Sequence, residues 1–195
     1  TPPGLDELQR LYPDTPVFLG PFDAGLLATA DQLVVSPGVP VATPQIAAAA
    51  DAGVQVVGDI ELFARQVERP VIAITGSNGK STGNLGRPAL DLLDEAADLY
   101  VLELSSFQLE TTDSLQAAVA TVLNVSPDHM DRYPSLEAYA AAKAKIFHGA
   151  GVGVFNDDDP RVAAMGGTED RWTFTLGASH DDKTFGVARK EGQDY

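Results

Sequence analysis

The chain has 195 residues, with 13 Lys and Arg against 28 Asp and Glu, a formal net charge of −15, no cysteine and 44% hydrophobic residues. That much apolar material closes one large core or two small ones, and so acidic a chain lacks the basic surface that nucleic acid or an anionic membrane requires. The absence of cysteine excludes disulfides, thiol nucleophiles and thiolate zinc sites, so any metal is held by oxygen or imidazole ligands.

No apolar stretch reaches the length of a membrane span, and no repeat or low-complexity tract is present. Short β-rich runs alternate with Ala/Leu-rich stretches, which predicts an α/β fold with a mostly parallel sheet. Pro16-Val17-Phe18-Leu19 and Gln32-Leu33-Val34-Val35 read as buried strands, the second ending in Ser36-Pro37-Gly38. Thr43-Pro44 places an N-cap and an N1 proline ahead of a helix from Gln45. Gly53 ends that helix before a strand at Val54-Gln55-Val56-Val57, and Asp59 is positioned to cap a helix carrying Ile60, Leu62, Phe63 and Val67. This opening block, residues 1–58, reads as part of a nucleotide-binding α/β unit lacking its first strand.

A second unit, residues 59–195, has its first strand at Val71-Ile72-Ala73-Ile74-Thr75. Further strands are predicted at 99–104, 118–124, 152–155 and 172–175, with helices over 88–97 and 135–148. Gly76-Ser77-Asn78-Gly79-Lys80-Ser81-Thr82 follows the first strand of this unit. Its glycines let backbone N–H groups converge on an anion, Lys80 can neutralise it, and Ser81 can ligate Mg²⁺. Ile74 stands where the general P-loop pattern has its first glycine, and an ordinary Gly/Asn turn is the alternative.

Such a loop must feed a helix whose N-terminus faces the phosphates. Thr82 is instead followed at once by Gly83-Asn84-Leu85-Gly86-Arg87-Pro88, which cannot sustain several helical turns. Residues that normally join Thr82 to Gly83 are expected to be missing from the chain.

Three other positions carry chemistry. Glu103 closes an apolar strand, and a carboxylate at the carboxyl end of a parallel strand sits where α/β sheets bind ligands. Asp128-His129-Met130-Asp131 follows another strand, and it can supply metal ligands or serve as a turn. Lys143 falls within the apolar stripe formed by Leu136, Tyr139, Ala140, Ile146 and Phe147. It must either snorkel outward, find an anion or lose its charge. Lys145 points elsewhere and is expected to be solvated.

Together, Ile74 to Thr82, Gly83-Asn84-Leu85-Gly86, Leu102-Glu103-Leu104-Ser105-Ser106-Phe107-Gln108-Leu109-Glu110, Asn124 to Tyr133 and Ala141-Ala142-Lys143 resemble the Mur ligase family. Glu-Leu-Ser-Ser-Phe-Gln-Leu is similar to the D-glutamate-adding branch, and the family's loop also lacks the early glycine. The resemblance implies a partial Rossmann-like UDP-binding domain, then a P-loop-type ATPase domain with a segment missing between 82 and 83. The resemblance also implies a C-terminal domain that helps bind ATP and D-glutamate, expected to lie outside these 195 residues.

It further implies that Gly76, Ser77, Asn78, Gly79, Lys80, Ser81 and Thr82 hold the ATP phosphates. Ser81 and Glu103 would hold one Mg²⁺, and His129, Glu103 and a Lys143 carbamylated by CO₂ a second. Carbamylation turns a buried cation into an oxygen ligand, which suits the apolar surroundings of Lys143. Ser36, Asn84, Ser105, Gln108 and His129 fall where the family contacts the UDP-muramoyl substrate. The implied activity is cytoplasmic, ATP-dependent addition of D-glutamate to UDP-N-acetylmuramoyl-L-alanine by a monomer, with Lys80, Glu103, His129 and Lys143 as catalytic residues. A sibling Mur ligase, a folylpolyglutamate synthetase-like ligase or a non-catalytic nucleotide-binding module are the alternatives.

Overall fold

A computed structural model describes residues 4–77, 88–94, 96–190 and 193–194. Short helices α1 (Leu5–Leu11) and α2 (Ala24–Leu27) precede the parallel pair β1 (Gln32–Val34) and β2 (Gln55–Val57), which α3 (Pro44–Asp51) connects. Pro44 occupies the first turn of α3 as expected, but the Thr43 side chain does not cap it, because its hydroxyl donates to the Pro40 carbonyl at 2.6 Å. The strand predicted at Pro16–Leu19 is not formed. Phe18 and Leu19 are 74% and 64% exposed there, an apolar run without a strand partner.

Helix α4 (Asp59–Ala64) leads into the second unit, with Gly58 rather than Asp59 at its N-cap. Gly58 N–H donates to the Thr111 carbonyl at 3.2 Å, and a Cβ at Gly58 would run into Thr111 Oγ1 and force that side chain to shift, so the two backbones pass close together where the units meet.

Four largely apolar runs, β3 (Val71–Thr75), β4 (Tyr100–Glu103), β5 (Val119–Val122) and β6 (Val152–Asn156), join the more polar β7 (Asp170–Phe174) and β8 (Thr184–Phe185) in a six-stranded, wholly parallel sheet of order β4-β3-β5-β6-β7-β8. Connections run through α5 (Ser106–Glu110), α6 (Leu136–Ala144) and α7 (Pro160–Ala163), and a small antiparallel pair, β9 (Arg189–Lys190) and β10 (Gln193–Asp194), lies beyond. Helix α6 starts with Ser135 accepting from Ala138 N–H and ends in a 3₁₀ turn at Lys145–Phe147, close to the predicted 135–148. The helix expected over 88–97 is only a 3₁₀ turn at Ala89–Leu92, and Asp94 N–H beyond it is taken by the Tyr100 hydroxyl. One apolar core, including Phe63, Ala73, Leu104, Val122, Tyr139 and Phe155, fills the space between sheet and helices.

Glu61 fastens α4 to this body. Its buried carboxylate accepts from Asp113 N–H (2.8 Å), Ser114 N–H (2.8 Å), Ser114 Oγ (2.6 Å) and Arg65 Nε (2.9 Å). Burial alone would raise its pKa, but the bonds from Ser114, Asp113 and Arg65 outweigh that and hold it at about 2, against an ordinary 4.5. The stabilisation is therefore complete above pH 4.5 and lost as pH falls from 4.5 towards 2. Glu61→Gln is expected to cost on the order of 2–3 kcal/mol at neutral pH, with the deficit shrinking below pH 4.5, as measured by urea denaturation across that range.

Candidate functional site

The order β4-β3-β5 makes β3 the point where the chain leaves first to one side and then to the other, and in open α/β sheets the ligand crevice is expected there, beyond the carboxyl ends of the strands. The last backbone groups of β3 are held by specific partners. Thr75 is buried, and its hydroxyl donates to the Leu104 carbonyl at 2.6 Å, tying β3 to the end of β4. Ser77 N–H donates to both the backbone carbonyl (3.1 Å) and the side-chain Oδ1 (3.0 Å) of Asn124, tying β3 to the end of β5. Ser77 Oγ accepts from Ser126 N–H at 3.1 Å and lies 3.2 Å from the Tyr139 hydroxyl. Burial raises the Tyr139 pKa, against the opposing pull of the Ser77 bond, so the phenol is a neutral partner at physiological pH.

Lys143 does not snorkel. It is fully buried, and Nζ donates to Thr75 Oγ1 (3.2 Å) and the Gly76 carbonyl (3.0 Å), 4.7 Å from the centre of the Tyr139 ring. The apolar stripe of α6 thus delivers its amine to the end of β3. Lys145 is not simply solvated either, since it reaches Asp113 (3.1 Å) and the Glu110 carbonyl (2.9 Å).

Glu103 is the last residue of β4, paired in register with Ile74 and partly buried. Ser105 and Gln108 form a capping box at the start of α5: Ser105 Oγ accepts from Gln108 N–H at 3.2 Å, and Gln108 Oε1 accepts from Ser105 N–H at 3.0 Å. These two residues therefore orient α5 as well as standing at the crevice. His129 has φ +54°, rare for a side chain other than glycine, and its ring lies 4.8 Å from Phe107 and 6.3 Å from Tyr139. Asp128 Oδ1 accepts from His129 N–H at 2.8 Å, a turn-stabilising role. Among the described residues no group of three or more His, Asp or Glu side chains is arranged as a metal cage.

Ser36 is exposed in a turn closed by Val39 N–H donating to its carbonyl. Asn78, Gly79, Lys80, Ser81, Thr82 and Asn84, and with them the expected break at Thr82–Gly83, lie outside the described residues. Sequence reasoning passed over Arg132 and Glu61, whose partners are remote in sequence. It did not extract the Ser105/Gln108 capping box, although the Ser-x-x-Gln spacing signals one.

The family described as Mur ligase middle domain matches residues 84–194, and the family described as Mur ligase MurD-like, N-terminal domain matches residues 1–58. The chain belongs to the Mur ligase family. A Methylococcus capsulatus protein named UDP-N-acetylmuramoylalanine–D-glutamate ligase is 51% identical over 98% of this chain and 46% of its own length. A Nitrosococcus oceani protein of the same name is 52% identical over 100% of this chain and 48% of its own. The chain thus spans about half the length of the curated relatives it matches. The second match runs over 216 residues against 195 here, so that relative carries residues with no counterpart in this chain.

A solved Neisseria meningitides structure, UDP-N-acetylmuramate:L-alanyl-gamma-D-glutamyl-meso-diaminopimelate ligase, superposes with a TM-score of 0.53 at 18% identity. It covers 100% of this chain and 75% of that one, and it supports the Mur ligase fold.

Ser77→Ala removes the acceptor of Ser126 N–H and the contact with Tyr139. It is expected to destabilise this Mur ligase segment by about 1–2 kcal/mol, measured by chemical denaturation.

Proposed function

We propose that the full-length protein is an ATP-dependent ligase that joins D-glutamate to UDP-N-acetylmuramoyl-L-alanine in the synthesis of peptidoglycan precursors. The observation that carries this reading is the gathering of Gly76, Ser77, Lys143, Ser105, Gln108 and His129 around the ends of β3, β4 and β5. It occurs in a chain half identical to curated relatives named for that reaction. The alanyl carboxylate attacks the γ-phosphorus of ATP, forming a C–O–P link as ADP leaves. The D-glutamate amine then attacks the acyl carbon, the C–O bond to phosphate breaks, and the nitrogen gives up a proton as the amide forms.

Gly76 to Thr82 with Lys80 hold the ATP phosphates in this reading, while Ser36, Asn84, Ser105, Gln108 and His129 hold the UDP-muramoyl substrate. The Glu103 carboxylate at the end of β4 is a hard oxygen donor of the kind that suits Mg²⁺. Ser81 and Glu103 would hold one ion, and His129, Glu103 and Lys143 the other. Bound Mg²⁺ offsets negative charge on the transferring phosphoryl group. Lys143 carries a carbamate in the working enzyme, because a buried ammonium is costly and CO₂ converts the amine into an anionic oxygen ligand. The protein works as a cytoplasmic monomer; among the described residues no helix is long and apolar enough to cross a membrane.

The domain division falls at residue 58, with residues 59–195 as the ATPase domain. The segment lacking relative to longer relatives belongs between Thr82 and Gly83. Val101 on β4 supports this: it is 61% exposed, whereas parallel sheets bury both faces under crossover helices, and the crossover from β3 to β4 is where that segment falls.

In the full-length protein, ADP release is expected to require both UDP-N-acetylmuramoyl-L-alanine and D-glutamate, read by a coupled ADP assay. Turnover with a different amino acid in place of D-glutamate would move the protein to another branch of the family. Lys143→Met keeps the apolar stem and is expected to retain the fold by circular dichroism while losing at least a hundredfold in turnover. In ¹³C-bicarbonate, the unsubstituted enzyme should show a carbamate carbon resonance that this variant lacks.

A further inference from the structure

Arg132 lies three residues beyond His129 and is the point where the two units of the chain are clasped. Its Nη1 donates to the Pro37 carbonyl at 2.9 Å, and its Nη2 donates to the Val39 carbonyl at 3.3 Å and lies 3.5 Å from Glu110 Oε2. Its guanidinium is stacked on Phe107, with Cζ 4.0 Å from the ring centre, and the side chain is only 13% exposed. The same Phe107 ring meets His129 at 4.8 Å and stacks on Tyr133 at 6.0 Å with an interplanar angle of 13°.

A guanidinium is suited to this task because its planar fork serves several acceptors while its face lies on an aromatic ring. Two carbonyls 93 and 95 residues away in sequence are thereby held at one distance from α5 and the His129 turn. The carboxylate of Glu110 balances the charge that would otherwise be buried against neutral groups. The connection leads from the Ser36-Pro37-Gly38 turn to the helix whose cap is Ser105 and Gln108.

We propose that Arg132 is a positioning residue for the UDP-muramoyl substrate: it sets the separation between the 36–39 turn and the Ser105, Gln108 and His129 cluster, so that one ligand can touch both. This rests on the substrate reading above. Arg132 touches no reacting atom in this account. Loss of the clasp leaves each half of the site intact but lets their separation vary, which weakens a ligand that spans both and leaves alone a ligand that binds only at β3.

The test uses the full-length enzyme with Arg132→Met and Arg132→Lys. Arg132→Met is expected to raise KM for UDP-N-acetylmuramoyl-L-alanine at least tenfold, while KM for ATP stays within twofold. Arg132→Lys, which keeps the charge but loses the fork, should recover part of the change. Direct calorimetric titration with UDP-N-acetylmuramoyl-L-alanine in the absence of ATP should show the same weakening. Equal rises in both KM values, or a lower melting temperature with both KM values unchanged, would overturn the proposal. Should Arg132→Met prove too unstable to assay, Glu110→Gln, which loosens the same clasp from its other side, is expected to raise only the KM of the UDP substrate, and an unchanged value would overturn it too. Failure of the substrate reading itself looks different, since the unsubstituted enzyme would then neither bind nor turn over this substrate.

Discussion

A parallel strand ends with peptide groups that its neighbours do not reach, and the way β3 resolves this organises the crevice. The Thr75 side chain bonds sideways to Leu104, and just beyond β3 the Ser77 backbone N–H and side chain bond to Asn124 and Ser126, so the ends of β4, β3 and β5 are locked to one another. Lys143 then caps the arrangement from α6, donating to Thr75 Oγ1 and the Gly76 carbonyl. Unpaired backbone groups at such a buried end would each cost about 1–3 kcal/mol. Satisfying them with side chains rather than water keeps the approach to the expected phosphate loop rigid.

That lock extends outward through rings. Tyr139 lies against Ser77, Lys143 and His129, His129 against Phe107, and Phe107 against Tyr133 and Arg132. The His129 backbone, held at positive φ, turns the ring towards its two aromatic neighbours, while Arg132 and Tyr133 N–H groups donate back to the His129 carbonyl. Burial raises the Tyr133 phenol well above its ordinary range, and the neighbouring Glu110 carboxylate adds to the effect. The phenol therefore remains an uncharged member of the cluster. The ends of β3 and β5 are consequently bordered by side chains held in fixed position by packing.

The sheet was legible because buried parallel strands read as unbroken apolar runs. Val71–Thr75 and Val119–Val122 have no competing interpretation once bounded by Pro70 and Asn124. Pro16–Leu19 has the same composition and forms no strand, since composition cannot say whether a partner strand is available. The burial of Lys143 was legible as a cation in an apolar stripe, but its destination was not, because Thr75 and Gly76 lie 68 and 67 residues away. Glu61 and Arg132 gave still less signal. A single Glu in a first turn and a single Arg in an acidic loop look like ordinary surface residues until their distant partners are placed.

The net charge of −15 acquires a physical role in this frame. An acidic exterior repels anions at long range, so any anionic ligand must be held by short-range, desolvated contacts. A cation placed there is screened little by solvent and counts for more than one on the surface. Arg132 meets that requirement by burial of all but a small part of its side chain. Its guanidinium donates to the Pro37 and Val39 carbonyls, with the Glu110 carboxylate beside it. Placing that scarce positive charge on backbone acceptors between the 36–39 turn and α5 gives it a structural task inside the fold, and leaves the outer surface free to remain acidic.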